Sequence, residues 1–119
     1  MTLATLYTVC ALVTFAILSG LAFAFWSTPA RGLFQSTHRI EQLPLVLADR
    51  YTALVLLALA ILVFGDLRLI AVFLAVCAFM GFADGVIHAR AGHPHVKHTV
   101  SGVLSVIALG VTLAALIAE

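Results

Sequence analysis

Charge is what this chain has least of. Only 9% of its 119 residues are Asp, Glu, Lys or Arg, against 64% hydrophobic ones, and the mean hydropathy is +1.21. A water-soluble domain carries about 25% charged and roughly 45–50% apolar residues. A single domain of this length cannot bury so much apolar side chain in its own interior, so lipid must take the place of water around it. The net charge is +1; without a basic patch, nucleic acid is excluded as a partner. A CxxC pair is also missing. Cys10 and Cys77 each lie inside an apolar run and read as small packed hydrophobes rather than a thiol redox site. No Lys or Arg precedes the first apolar run. That run also outlasts the roughly 7–15-residue core of a signal peptide, so it reads as a retained helix despite the small-x-small "AFA" at 22–24. Neither an internal repeat nor a low-complexity tract is present.

What the chain does have is four long apolar runs: Leu3–Trp26, Pro44–Phe64, Arg68–Ala91 and His98–Ala118. About 20 apolar residues in a helix cross a hydrocarbon core. Pro44 suits the first turn of a helix, where a missing N–H costs nothing, and Gly92 and Pro94 stop the third run. "GDLR" makes a very tight link between runs two and three, and about six residues join runs three and four. The longer first link, "STPARGLFQSTHRIEQL", has room for an interfacial helix using Leu33, Phe34, Ile40 and Leu43. Short links favour antiparallel neighbours, so residues 1–119 are expected to form one all-α domain, an integral membrane up-down four-helix bundle. Arg31, Arg39, Arg90 and Lys97 lie on links one and three, and only Arg68 lies on the other side. Positive loops stay inside, which predicts a bacterial inner-membrane protein with both termini outside.

Three charges fall inside the predicted spans: Asp49, Arg50 and Asp84. A charged residue at a helix centre costs about 2.5–3.5 kcal/mol on insertion scales. At 1.5 Å per residue, all three lie roughly 8–11 Å in from the same, cytoplasmic, side. Asp84 approaches a helix C-terminus, where the macrodipole disfavours a negative charge. Arg50 is one candidate to offset it. His88, four residues on and therefore on the same face, is another. Cys77, Gly81, Asp84, Gly85 and His88 form one stripe on helix three, with Gly81 and Gly85 a small-xxx-small pair. His98, Ser101, Gly102, Ser105 and Thr112 form a matching stripe on helix four.

These residues support three classes of function. In the first, the bundle holds an apolar small molecule of quinone, lipid or terpenoid type. Asp84 and His88 are then the candidate acid–base residues, and Asp49, Arg50, His98 and Ser101 meet the ligand's polar end. The oily part is expected among Phe15, Phe23, Phe73, Phe79 and Phe82. A quinone is the cofactor type that suits such a site, because its reduction is coupled to protonation. In the second, the chain is a packing partner in a homo-oligomer or a larger membrane complex, docked through Gly81 and Gly85. In the third, His93-x-His95-x-x-His98 with His88 and Asp84 binds a metal, since imidazole suits zinc, copper and iron. That spacing matches no zinc signature, and Pro94 between two of the histidines prevents a common helical face. Haem would need histidines deep in two helices, and runs one and two have none. Ion pairing of Asp84 with Arg50 and solvation of His93, His95 and Lys97 are the structural alternatives. Small four-helix proton-coupled exporters carry a carboxylate in the first helix, and this first helix has none.

The stretches "LADRYTALVLLALAIL" and "FADGVIHARAGHPHVKHTVSGVLSVIALG" resemble the DoxX-like superfamily of small four-helix membrane proteins, and within it an uncharacterised bacterial and fungal family. Members show an arginine–aspartate pair early in helix two, an aspartate late in helix three and a histidine opening helix four. Asp84 and His98 match the last two. The pair stands here in the reverse order, Asp49 then Arg50. The resemblance covers about residues 44 to 118. It implies a membrane subunit associated with quinone, sulfur or oxidative-stress redox systems, an analogy of fold rather than of site.

Overall fold

The computed structural model describes residues 3–119, and the side chains of all of these except residues 3, 4 and 7. Among the described residues every regular element is helical. The order is α1 (Leu3–Ser27), α2 (Pro29–Gln35), a 3-10 turn (Ile40–Gln42), α3 (Leu43–Phe64), α4 (Leu67–Arg90) and α5 (Val96–Ala118). Helices α1, α3, α4 and α5 have 25, 22, 24 and 23 residues. At 1.5 Å per residue they extend roughly 33–38 Å, enough for a hydrocarbon core of about 30 Å. All four are long and apolar enough to cross a membrane. The chain is therefore an all-α integral membrane protein of the four-helix class.

The chain divides into two compact units, Met1–Tyr51 and Thr52–Glu119. In the first, α1 is followed by the short helix α2. Pro29 opens α2, where its fixed φ and missing N–H are harmless. Gly32 of α2 lies against Phe25 of α1; a Cβ there would stand 2.6 Å from two ring carbons. The sequence leads one to expect an interfacial helix in this link using Leu33, Phe34, Ile40 and Leu43; the short helix holds only the first two, while Ile40 lies in the 3-10 turn and Leu43 opens α3. Leu33 is half-buried and Phe34 exposed.

In the second unit the turns follow local chemistry. Gly65 ends α3 at φ +67, a left-handed conformation that side chains rarely adopt. Asp66 then caps α4, its carboxylate accepting from the Arg68 amide at 2.8 Å. At the other end of α4, Gly92 sits at φ +72. Its amide donates to the Ala89 carbonyl at 3.1 Å, and the His93 amide donates to the His88 carbonyl at 2.9 Å. This is a Schellman stop, which satisfies two of the last carbonyls of α4. The chain re-enters helix at Val96, two residues before the expected start at His98, because Pro94 prevents helix only at the residues just before it.

Helices α4 and α5 pack as an antiparallel hairpin with their backbones nearly touching. A Cβ on Gly81 would lie 2.6 Å from the Gly102 nitrogen, and one on Gly85 would lie 2.7 Å from Thr99 Oγ1. Phe82 lies over Gly102 from the side. Ala71, Ala78 and Thr112 are also buried. Small residues allow this approach, and in lipid it is van der Waals contact that such packing gains.

Candidate functional site

The two glycine contacts fix the register of α4 against α5, and that register sets the neighbours of Asp84. Thr99 faces Gly85, so His98 stands one residue away from the level of Asp84. The His98 Nδ1 lies 3.8 Å from the Asp84 Oδ2. That is an ion-pair distance, longer than a hydrogen bond. His98 is the third residue of α5. The carboxylate at the unfavourable end of α4 is thus beside the first turn of α5, where a helix macrodipole is positive. Within the second unit, the side chain that faces the Asp84 carboxylate from another helix is His98, supplied by α5.

His88 meets the main chain of Asp84 rather than its carboxylate. Its Nδ1 lies 2.8 Å from the main-chain carbonyl of Asp84, one turn earlier. A carbonyl only accepts, so Nδ1 carries the proton and the lone pair of the neutral ring is on Nε2. The carboxylate of Asp84 is not its partner. The His88 ring stacks on that of His98, with centroids 4.4 Å apart and planes inclined by 23°. Asp84, His98 and His88 therefore form one continuous cluster. It stays open: the side chains of His98 and Asp84 are 36% and 41% exposed.

Ser101 lies on the next turn of α5. Its hydroxyl donates to the His98 carbonyl at 3.0 Å, so its proton is already used and its remaining lone pair is what a ligand would meet. Ser105 and Thr112 likewise donate to carbonyls one turn back, at 2.9 Å each. The polar stripe of α5 satisfies itself along its own helix, an ordinary fate of hydroxyls in membrane helices. Asp49 and Arg50 are carried by the first unit, both exposed. There Arg50 lines a groove of about 210 Å³ with Phe25, His38, Leu43, Val46 and Leu47.

The expected common lining of phenylalanines is not met on α4. Phe73 lines an apolar groove of about 280 Å³ between α3 and α4, with Leu54, Leu57, Ile61 and Val72. Phe82 packs on Gly102, and Phe79 is 66% exposed. At about 100° per residue, positions 73, 79 and 82 cannot share one face of a helix. Among the described residues no three His, Cys, Asp or Glu side chains converge as a metal site. His93 and His95 are exposed, and His95 Nδ1 lies 3.5 Å from Thr99 Oγ1. Cys10 and Cys77 are free thiols.

Sequence reasoning missed two participants. Thr99 meets Gly85, and His38 faces Arg50's groove. Thr99 lies just beside the polar stripe of α5, and His38 is the only histidine before α3; both facts were legible, but only the packing makes them matter. Comparison with family models, with curated proteins and with solved structures gives no match.

Proposed function

We propose that this membrane protein holds the polar end of an apolar ligand, of quinone, lipid or terpenoid type, on the Asp84–His98–His88 cluster, and exchanges protons with it there. The observation that carries the reading is the open ion pair of Asp84 and His98 beneath a stacked second imidazole. A pair serving packing alone is best closed off between helices. This one leaves both groups part-exposed at the rim of the hairpin. A ligand carbonyl or hydroxyl beside the rings meets imidazole nitrogens that can donate or accept, with the Asp84 carboxylate 3.8 Å from His98. Ser101 adds a polar contact one turn along α5. Proton exchange of this kind suits a quinone, whose reduction takes up protons, and places the protein beside a redox system as an accessory.

The setting is a bacterial inner membrane with both termini outside. Arg31, Arg39, Arg90 and Lys97 then lie on the cytoplasmic side, and the cluster faces that leaflet. The pattern of Asp84 near the end of α4 and His98 at the start of α5 supports membership of the DoxX-like superfamily.

The test is native mass spectrometry of the protein released from lipid nanodiscs made from its host's lipids, wild type beside Asp84→Asn. An organic mass present in the wild type and lost in the variant supports the reading and identifies the occupant. A bare chain in both, a bound metal, or a co-purified protein retained equally by both would overturn it.

A further inference from the structure

We infer a second site, independent of the Asp84 cluster: the groove around Arg50 in the first unit binds the phosphate headgroup of an anionic phospholipid. Leu43, Val46, Leu47 and Arg50 recur at i, i+3, i+4 and i+7, so α3 presents them as one stripe. Helical side chains tilt toward the N-terminus. Arg50 is the last of the four, and its long side chain can reach back along the groove toward the start of α3.

The opposite walls are built, not incidental. Gly32 lets Phe25 close in from α1; a Cβ at Gly32 would stand 2.9 Å even from the Phe25 Cα. Thr37 adopts φ +58, a turn that brings His38 round to the groove. The Ser36 hydroxyl donates to the Leu33 carbonyl at 3.2 Å. The 2.7 Å contact between His38 Nδ1 and Ser36 Oγ must then run from the ring to the serine. That fixes the His38 ring and leaves Nε2 for a ligand, as a second donor when the ring is protonated.

Among the described residues of its own unit no carboxylate reaches Arg50; Glu41 and Asp49 make no ion pair with it, and the unit holds three arginines, Arg31, Arg39 and Arg50. A guanidinium seven residues into a spanning helix, beside apolar side chains and with no carboxylate of its own unit in reach, asks for an anion. Guanidinium matches phosphate through paired hydrogen bonds. The groove's 210 Å³ is room for about seven waters, enough for a headgroup but not for acyl chains. The walls of Phe25, Val46 and Leu47 continue the site toward lipid, where those chains lie.

The experiment uses the full chain in phosphatidylcholine nanodiscs doped with phosphatidylglycerol, read by native mass spectrometry. Wild type is expected to retain one phosphatidylglycerol in preference to phosphatidylcholine, and Arg50→Gln to lose about tenfold in that preference, the size expected for one charge-assisted contact. Leu47→Trp fills the groove while sparing the charge, and is expected to lose retention as well, so the test survives if Arg50→Gln does not fold. Gly110→Ala, in the second unit and with nothing within 4 Å of the added Cβ, is expected to leave retention unchanged. Equal retention of the two lipids, retention unaffected by both groove variants, or displacement of the lipid by inorganic phosphate alone would overturn the inference.

Discussion

Gly81 and Gly102 meet backbone to backbone across α4 and α5: a Cβ on Gly81 would stand 2.6 Å from the Gly102 nitrogen and 2.8 Å from its Cα. Neither backbone can yield without moving its helix. This contact sets the register that puts His98 beside Asp84.

Gly81→Ala is expected to destabilise the protein by roughly 1–3 kcal/mol, as overpacking does, and to weaken ligand retention at Asp84 as the register shifts. Gly110→Ala in α5 is the control, because nothing lies within 4 Å of the Cβ it adds. The comparison is made by denaturant unfolding in micelles. Equal midpoints for the two variants would refute the tight contact.

Asp84→Asn separates a functional pair from a structural one. The pair is part-exposed and longer than a hydrogen bond, so its loss is expected to cost no more than about 1 kcal/mol while abolishing ligand retention. A loss of several kcal/mol with the ligand still bound would show the pair to be structural. His98→Gln is expected to behave like Asp84→Asn in both measurements.

Gly92→Ala and Gly65→Ala test the two left-handed glycine turns. At each site a Cβ meets open space, so any cost comes from the backbone conformation alone, about 1 kcal/mol or a little more. Thermal unfolding measures it. The Gly92 variant is also expected to disturb His88, whose carbonyl accepts from the His93 amide in the same turn.

Single-cysteine labelling in the Cys10→Ala, Cys77→Ala background tests the orientation. Ser36→Cys and His93→Cys are expected to react with impermeant reagent only after the cytoplasmic side is opened, and Asp66→Cys from outside. The reverse pattern would invert the topology.

The helices were legible from residue order because their causes are local. Length and hydropathy place each span, Gly65 and Asp66 end one helix and start the next, and Gly92 closes α4 with hydrogen bonds to carbonyls only a few residues back. The start of α5 was read two residues late, since Pro94 marks where helix is forbidden but His95 offers no side-chain cap to mark where it resumes.

The partner of Asp84 was not legible in that way. The sequence offers two partners, Arg50 by charge and His88 by its place four residues along the same helix, yet the His88 Nδ1 goes to the Asp84 main-chain carbonyl, which its side chain reaches one turn back. His98 comes from another helix, and its place depends on how far α5 slides along α4. No periodicity within either helix contains that distance. It comes from the close approach allowed where Gly81 meets Gly102 and Gly85 meets Thr99, a match of two surfaces that exists only once the hairpin has closed.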